Sequence, residues 1–255
     1  MKFQLISDLH LEYYNKLPDI SKLIIPSAPI LILAGDICFA KHDNFVPFFE
    51  KISTMFKEII YVLGNREYYN KIEDGFYSLK ETEMYIRENL KHLKNVQILQ
   101  NEYIKIGNIV IIGCTLWTYL SKPDMVGDIC LLSNTDFIRF RNKLRLKTSI
   151  TNKVHLQQKK YLSEILKGFE GYKKLVITHH LPSKICIDSK FKYDTFIKSY
   201  YSNCDDLVKE ADVWCAGHTH KFTIRNIEGV PIYINPVGYL WEESNYKKNL
   251  TFEIY

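Results

Sequence analysis

The sequence predicts an α/β fold in which two β-sheets pack together and helices lie outside them. Three observations favour this fold class. Strand-like and helix-like segments alternate early in the chain, antiparallel strand patterns follow later, and five strands end in residues that commonly bind metals. No internal repeat, linker or low-complexity tract interrupts the 255 residues, so we predict a single domain.

The first half of the chain alternates short apolar runs with helical patterns. Strands are predicted at 2–7, 29–34 and 58–63, and helices at 45–57 and about 75–92. The run at 29–34 is apolar throughout, which is typical of a strand buried on both faces. Between residues 96 and 113, turn residues separate three short strands, and this pattern predicts an antiparallel meander.

The second half of the chain opens with a polar, aromatic and basic stretch at about 116–150. We interpret this stretch as an insertion or partial cap within a single domain that covers residues 1–255. A loop-like segment at 184–201 divides the later elements, and the strands near the end have an antiparallel pattern. Helices are predicted at 152–169 and 204–210, and strands at 173–178, 212–216, 222–227, 231–234 and 250–254.

The composition argues against several classes of protein. Apolar runs fall short of the roughly 18 residues that a transmembrane helix needs, so no membrane partner is predicted. The apolar stretch at the N-terminus is too short for a signal peptide. Six cysteines occur singly, without the Cys-x-x-Cys spacing of zinc knuckles or thioredoxin-type sites. These features predict a cytoplasmic protein in a reducing environment.

The charge of the chain bears on its partners. A net charge of +5 and a pI near 8.7 mildly favour anionic substrates, phosphates included. The charge therefore favours an anionic small molecule as the partner. The concentrated basic face of a duplex-DNA binder is not evident, so nucleic acid stays an open alternative that the sequence does not indicate. No particular protein partner is predicted.

Residues of the types that bind metals follow five of the predicted strands. Because the carboxyl ends of strands in α/β sheets gather at one edge, these side chains are expected to lie together. They are Asp8, His10, Asp36, Asn65, His179, His218 and His220. Each of them alone could be a turn or capping residue, but their recurrence at successive strand ends predicts a metal centre.

The chemistry of this set suits two divalent metal ions. Carboxylate, amide and imidazole donors together favour Mn, Fe, Zn, Co or Ni over an all-oxygen Mg or Ca site. The absence of cysteine argues against a structural zinc site. Asp36 could bridge two ions, which would activate a shared water and neutralise charge on a phosphoryl group. Mn is expected to support activity best in vitro.

The same residues lie in ordered motifs that resemble the five signature blocks of the calcineurin-like metallophosphoesterases. The motifs are Asp8-x-His10, Gly35-Asp36, Gly64-Asn65-x-Glu67, His179 and Gly217-His218-x-His220. They extend from residue 8 to residue 220, and further stretches such as 235–239 resemble a small uncharacterised bacterial and viral branch. The resemblance implies a four-layer α/β sandwich, with two mixed β-sheets flanked by helices.

The resemblance also implies how the metals are held. Asp8, His10 and His220 would hold one ion, Asn65, His179 and His218 would hold the other, and Asp36 would bridge the two. His179 is preferred to His180 as the ligand because it directly follows its strand. His180 would then support the metal ligands or face the phosphate, and a purely structural role is the alternative.

One position departs from the family pattern. Arg66 stands where the family usually has a histidine, which is generally assigned to protonating the leaving group or stabilising the transition state. An arginine has a pKa above about 12 and cannot act as a general acid near neutral pH, but it can donate bidentate hydrogen bonds to phosphate. We predict that Arg66 clamps the phosphate, and the alternative is an ion pair with Glu67 or another carboxylate.

Two further residues complete the predicted site. With arginine at position 66, the leaving group would depart unaided or would be protonated by water or by His180. Tyr68 is a candidate for stacking on a base or lining the cleft, and packing in the core or a loop is the alternative.

The leading functional hypothesis is dimetal-dependent hydrolysis of a phosphoester, with hydroxide that bridges the metals attacking phosphorus in line. A phosphodiesterase is slightly favoured over a phosphomonoesterase, and a nucleotide-like substrate fits the tyrosines and the positive charge. One alternative is a catalytically weak or inactive scaffold of the same fold, supported only by Arg66. The others are a protein phosphatase and a nuclease.

Overall fold

Two β-sheets pack face to face in the computed structural model, and helices cover their outer faces. The structure describes residues 1–69, 78–121, 139–140, 144–145, 148–191, 193–194 and 197–255. The strands are β1 (Lys2–Ile6), β2 (Ile30–Ala34), β3 (Glu58–Val62), β4 (Val96–Ile98), β5 (Glu102–Ile106), β6 (Ile109–Cys114), β7 (Arg139–Phe140), β8 (Leu144–Arg145), β9 (Lys173–Thr178), β10 (Val213–Ala216), β11 (Thr223–Ile227), β12 (Val230–Ile234) and β13 (Thr251–Glu253). The α-helices are α1 (Phe45–Ser53), α2 (Leu79–Leu90), α3 (Thr148–Lys167) and α4 (Asp205–Val208).

Within the described residues, the first sheet has five strands in the order β13-β1-β2-β3-β4. The strands β1 to β4 run parallel, and β13 pairs antiparallel with β1. The second sheet has the order β11-β12-β10-β9-β6-β5, with parallel pairing from β12 to β6 and an antiparallel strand at each edge. Both sheets are therefore mixed, as predicted.

The core is layered because successive side chains of a strand point to opposite faces. In β2, Ile30 and Ile32 face the second sheet, whereas Leu31 and Leu33 face the helices. The pattern repeats throughout both sheets and produces one apolar layer between the sheets and one under the helices on each side. These three apolar layers separate the four layers of backbone that the family resemblance implies.

Helices α1 and α3 cover the two sheets with apolar stripes at helical spacing. Helix α1 buries Phe45, Phe48, Phe49 and Ile52 against the first sheet. Helix α3 buries Leu162 and Leu166 against the second sheet. The helices thus close the outer faces of the sandwich and leave the carboxyl ends of the parallel strands at one edge.

The predicted three-strand meander at 96–113 is wrong in its first strand. β4 pairs parallel with β3 in the first sheet, whereas β5 and β6 form an antiparallel hairpin in the second. Between them Leu99 is buried in the layer between the sheets, and Asn101 has a left-handed φ of 54°. Asn tolerates this conformation well, so the chain can turn from one sheet to the other within a few residues.

The remaining differences concern element ends. Helix α1 ends at Ser53 rather than at 57, where the chain turns into β3, and α4 is shorter than the predicted 204–210. The antiparallel end of the chain is confirmed, although β13 pairs with the first strand of the other sheet. Most of the predicted insertion at 116–150 lies outside the described residues. Among the helices described here, none is both long and apolar enough to cross a membrane.

Candidate metal centre

The loops that follow β1, β2, β3, β9 and β10 meet at one edge of the sandwich and bring the predicted ligands together. They form two groups. The first cluster is Asp8, His10 and His220, and the second cluster is Asp36, His179 and His218 together with Asn65. Within each group of three, carboxylate and imidazole ligand atoms all lie within 4.8 Å of one another. Both clusters take side chains from both sheets.

Unusual backbone geometry aims these side chains inward. Asp8, His10, Asp36, His218 and His220 all have positive φ, between 46° and 74°. Such conformations are uncommon for residues other than glycine, and they concentrate at functional sites, where the surrounding structure maintains them. Five left-handed residues at three strand ends let short loops turn each side chain back over the edge of the sheets.

Two glycines allow the loops to approach closely. A Cβ atom on Gly35, which has a φ of 83°, would lie 2.4 Å from His179 Nδ1. A Cβ atom on Gly64 would lie 2.2 Å from Asp36 Oδ1. Any side chain at either position would therefore displace a candidate ligand.

Glu67 joins the loops after β2 and β3. Its buried carboxylate accepts hydrogen bonds from the backbone N–H groups of Asp36 (3.1 Å), Ile37 (2.8 Å) and Gly64 (2.8 Å), and from the hydroxyl of Tyr61 (2.7 Å). Burial, followed by the nearby charge of Asp36, raises the pKa of Glu67 to about 7. Glu67, which the sequence offered as an ion-pair partner for Arg66, instead fixes the loop that carries Asp36.

In the first cluster, two imidazoles point their Nε2 atoms at each other, 2.8 Å apart. Each imidazole is held from behind by a carboxylate. His10 Nδ1 lies 3.0 Å from Glu12, and His220 Nδ1 lies 2.6 Å from Glu242. Asp8 Oδ1 lies 3.4 Å from His220 Nε2 and completes a converging set of two nitrogens and one oxygen.

In the second cluster, His179 Nδ1 donates to the backbone carbonyl of Ala34 at 2.9 Å. Its Nε2 atom faces three potential ligand atoms: Asn65 Oδ1 at 3.1 Å, His218 Nδ1 at 3.2 Å and Asp36 Oδ1 at 3.3 Å. These are oxygen and nitrogen atoms with lone pairs, so a positive charge is needed where they converge.

Asp36 lies between the clusters. Its Oδ1 atom faces His179, and its Oδ2 atom lies 4.0 Å from His10 Nε2. The backbone N–H of Arg66 also donates to Oδ1 at 2.8 Å. Burial opposes ionisation of Asp36, but the positive charge of His179 outweighs it and holds the pKa of Asp36 well below its usual range. An ionised carboxylate with one oxygen toward each cluster is arranged as a bridge.

Each cluster holds one strongly basic and one weakly basic imidazole. Burial lowers the pKa of His220 and of His179, but neighbouring carboxylates outweigh this effect and raise both values to about 9. Burial and a nearby histidine lower the pKa of His10 and of His218 well below 6.5. A proton on one imidazole of each pair therefore supplies positive charge to the oxygen and nitrogen lone pairs that converge there. A divalent cation would satisfy the same lone pairs. The residues present fit two metal ions.

Arg66 lies beside the clusters with only a small part of its side chain exposed. Its guanidinium donates to the hydroxyl of Tyr239 and approaches the hydroxyl of Tyr13 at 3.5 Å. It also lies over the rings of Tyr69 and Tyr239. Burial lowers its pKa, but these tyrosines and Asp36 outweigh burial and raise the value above that of free arginine. Arg66 is thus a permanent cation held by neutral hydroxyls.

A cleft of about 290 Å³ opens over the clusters. Arg66 and His180 both line it, and so do the aromatic residues Tyr69, Trp117, Phe191, Tyr200 and Tyr239. His180 Nδ1 lies 3.2 Å from the carbonyl of Thr115, so this nitrogen carries the proton. Burial, and then the positive charge of His179, lower the pKa of His180 to about 3.

Tyr68 lies behind the cleft wall. Its hydroxyl donates to Glu83 at 2.9 Å, and its ring packs against Trp117 at 5.8 Å. The neighbouring Tyr69 reaches the cleft in its place and contacts the side chain of Asn65. Tyr68 would therefore affect a substrate indirectly, through Trp117, which lines the cleft.

Sequence reasoning did not assign roles to Glu12, Tyr13, Tyr239 and Glu242. Glu12 and Tyr13 follow His10 directly, and this proximity was a signal that they could reach the site. Glu242 is 22 residues from His220 and lies in a turn that no pattern indicated. Its contact with the imidazole depends on tertiary structure alone.

Two mixed sheets that gather two imidazole–carboxylate clusters at one edge define an α/β sandwich with candidate sites for two metal ions. The chain belongs to the calcineurin-like phosphoesterase family, whose model matches residues 1–222. The family typically binds two divalent metals and acts on phosphoesters. The predicted family and fold are therefore confirmed.

Other proteins are similar to this chain in sequence or in fold. The uncharacterized protein L509 of Acanthamoeba polyphaga mimivirus is 27% identical over 265 residues, which cover 94% of this chain and 92% of that protein. The phosphopantetheinyl hydrolase of Mycobacterium tuberculosis has a TM-score of 0.71 at 17% identity, covering 93% of this chain and 89% of that one. TT1561 of Thermus thermophilus has a TM-score of 0.56 at 12% identity, covering 92% and 88%. At these identities the solved structures show the fold alone.

Proposed function

We propose that this chain is an enzyme that hydrolyses a phosphoester with the help of two divalent metal ions. The observation that carries the proposal is the position of Asp36, whose two carboxylate oxygens face the two clusters. Two ions bound there would lower the pKa of a shared water and neutralise charge on the phosphoryl group. Mn is the proposed activating ion, since oxygen and imidazole donors without thiolate suit it.

The proposed ligands divide as the geometry of the clusters suggests. Asp8, His10 and His220 would hold one ion, Asn65, His179 and His218 would hold the other, and Asp36 would contribute to both. Glu12 and Glu242 orient the imidazoles of the first cluster through their Nδ1 atoms. Imidazoles held in this way present a fixed tautomer and a more basic lone pair to a metal.

Arg66 is the proposed phosphate clamp. Its hydrogen-bond partners among the described side chains are neutral hydroxyls, so its charge is not cancelled by direct pairing with a carboxylate. In a buried setting that charge acts over a low local dielectric, and a planar guanidinium matches the oxygens of a phosphate. Arg66 would therefore bind the phosphoryl group and stabilise charge as it develops during in-line attack by water.

His180 is proposed to accept a hydrogen bond rather than to supply a proton. Its Nδ1–H is directed at Thr115, and the low pKa leaves its Nε2 atom unprotonated near neutral pH. Arg66 cannot release a proton either. The leaving group would then depart unaided or take a proton from water, which favours phenol-like or phosphate leaving groups over alkyl ones.

A phosphodiesterase is proposed ahead of a phosphomonoesterase, with a nucleotide-like substrate. The aromatic residues of the cleft and the net charge of +5 support this choice. The experiment that tests it is a panel of mono-, di- and cyclic phosphoesters, aryl and alkyl, assayed with Mn, Zn, Ni and Mg. Turnover confined to protein substrates or to polynucleotides would replace the proposal with a protein phosphatase or a nuclease.

Metal analysis separates the enzyme from an inactive scaffold of the same fold. The purified protein is expected to contain close to two divalent ions, and added Mn is expected to restore turnover after chelation. If the protein bound no divalent metal and Mn restored nothing, the scaffold would be the better description.

The role of Arg66 has its own test. The variant Arg66→His is expected to gain activity on alkyl esters, because histidine can protonate an alkoxide. Arg66→Lys is the matched control, since it keeps the positive charge without a titratable acid near neutral pH or a planar fork. Equal rates of the parent enzyme on aryl and alkyl esters would contradict the proposal.

The remaining expectations about the chain stay as proposals. We propose one domain over residues 1–255, and limited proteolysis that released a stably folded half would contradict it. We also propose a reducing, cytoplasmic location. In the described residues Cys38, Cys114, Cys186, Cys204 and Cys215 are buried and free, which agrees with it. Detection of a disulfide in protein isolated under thiol-blocking conditions would argue against this location.

A further inference from the structure

A tight turn at Tyr239–Glu242 borders the metal centre. The backbone N–H of Glu242 donates to the carbonyl of Tyr239 at 2.9 Å, and the carboxylate of Glu242 accepts from the N–H of Tyr239 at 3.0 Å. The preceding Gly238, with a φ of 79°, donates its N–H to the carbonyl of Asp8 at 2.9 Å. The turn is thus closed on itself and fastened to the loop that carries the first cluster.

Both corner residues of the turn touch groups of the proposed reaction site. Tyr239 accepts a hydrogen bond from Arg66, and its ring lies 4.5 Å from the ring of His10 and 4.4 Å from that of His220. Glu242 contacts the other side of His220 at Nδ1. The position of the turn is therefore fixed relative to the phosphate clamp and the first cluster.

The tip of the turn consists of two large apolar side chains that solvent reaches. Leu240 is 57% exposed and Trp241 is 67% exposed. Trp241 does not extend freely into solvent, because it stacks on Tyr239 with ring centroids 5.0 Å apart and meets the ring of Tyr13 at 5.3 Å. A scattered exposed apolar residue needs no explanation, but this indole is oriented by two rings that themselves contact Arg66.

We propose that Trp241 stacks on the flat ring of the substrate's organic group, which the structure assigns to the class of nucleobases. This inference rests on the proposed phosphoesterase function and names its substrate class. Arg66 would hold the phosphate, and the indole, one tyrosine ring farther out, would hold the base attached through the sugar. Stacking on an indole is available to every base, so recognition of purines and pyrimidines alike is expected.

The substrate, rather than a partner protein, is the occupant that these contacts favour. Tyr239 and Glu242, which flank the exposed tip in the sequence, both line the cleft, so the tip lies at the border of the cleft. The guanidinium of Arg66 lies next to the ring of Tyr239, which in turn stacks on Trp241. A nucleotide could therefore place its phosphate against the guanidinium and its base against the indole. Aromatic rings and an arginine at one site are a combination that binds single nucleotides.

Equilibrium binding tests the proposal without depending on turnover. Isothermal titration of the Mn-loaded protein compares uridine monophosphate with methyl phosphate, which has the same phosphate but no ring. The parent protein is expected to bind the nucleotide at least tenfold more tightly than methyl phosphate. Trp241→Ala is expected to remove about tenfold of that preference while leaving the affinity for methyl phosphate unchanged, and Trp241→Phe is expected to keep most of it.

A matched pair of leucines supplies the control. Leu240 and Leu156 are both 57% exposed, but Leu156 lies on α3. Leu240→Ala is expected to weaken nucleotide binding slightly, and Leu156→Ala is expected to leave it unchanged. Equal nucleotide affinities in the parent and Trp241→Ala would overturn the inference, and so would an equal loss for both ligands. Failure of the proposed function would look different, because no phosphoester of any kind would then be turned over.

Discussion

The two clusters of the metal centre use similar ligands but are supported in different ways. In the first cluster, glutamate carboxyl groups contact the Nδ1 atoms of both imidazoles: Glu12 contacts His10, and Glu242 contacts His220. In the second cluster, a backbone carbonyl stands behind His179, and a neutral amide from Asn65 takes the place of a second carboxylate. Burial raises the pKa of Glu12 to about 8, so the additional negative charge around the first cluster comes from Asp8 and Glu242.

This difference has a chemical consequence. A histidine that donates to a carboxylate is a more basic ligand than one that donates to a carbonyl, and charged ligands bind a divalent ion more strongly than neutral ones. The first cluster is expected to hold its ion tightly, and the second to exchange its ion more readily. Two sites built from nearly the same residue types can thus differ in affinity through the groups behind the ligands.

The largest effect on both clusters is expected from removing the carboxylate that they share. Asp36→Ala is expected to abolish metal pairing and to lower kcat by roughly a thousandfold, since Asp36 is the group that faces both clusters. Metal analysis and steady-state kinetics with Mn measure the two effects. Retained activity with two bound ions would show that another residue is the bridge.

Two substitutions that exchange the charges of the ligands are expected to reverse the order of metal affinity of the two clusters. Asp8→Asn is expected to weaken the tighter site by about a hundredfold, whereas Asn65→Asp is expected to strengthen the weaker site. Both replacements keep the shape of the side chain, so the change in charge dominates. Titration with Mn, followed as two binding steps, provides the measurement, and unchanged affinities would show that ligand charge does not set the order.

The pH dependence should be alike in the two clusters. Each contains one imidazole whose pKa is raised to about 9, His220 in the first and His179 in the second. A metal must displace that proton, so each apparent affinity is expected to rise about tenfold per pH unit up to pH 9 and then level off. Titrations near pH 7 in buffers of different ionisation enthalpy are expected to show about one proton released per ion. Release of no protons would contradict the raised values.

The smallest predicted effect concerns a single supporting carboxylate. Glu242→Gln is expected to weaken the first site by about tenfold and to leave the second unchanged, because the candidate ligand that Glu242 contacts is His220 of the first cluster. Glu243→Gln is the control, since Glu243 is the adjacent exposed glutamate. Equal effects of the two changes would mean that charge near the surface, rather than the contact with His220, is responsible.

The candidate ligands could be predicted because each lies close to the end of an apolar strand, which is a local signal. The packing of two sheets with helices outside could be predicted from the order of strand-like and helix-like segments along the chain. The sheet that receives β4 could not be predicted, because Val96–Ile98 looks like the strands that follow it and its pairing with β3 is a long-range choice.

The residues that surround Arg66 could not be predicted from the sequence either. Its tyrosine partners lie 53 and 173 positions away, and no periodic pattern links such distant residues. The departure at position 66 was visible, but the three aromatic side chains that accompany it, Tyr13, Tyr239 and Trp241, became meaningful only when folding placed them in contact.

The distribution of ligands along the chain fixes when the site can form during synthesis. Each cluster needs a side chain from the segment 217–220, which the ribosome makes after all the other candidate ligands. A nascent chain can display Asp8, Asp36 and Asn65 long before either ion has a complete set of donors. Metal loading would therefore be a late step of maturation, and a protein truncated before residue 217 would have most of its strands but neither candidate metal site.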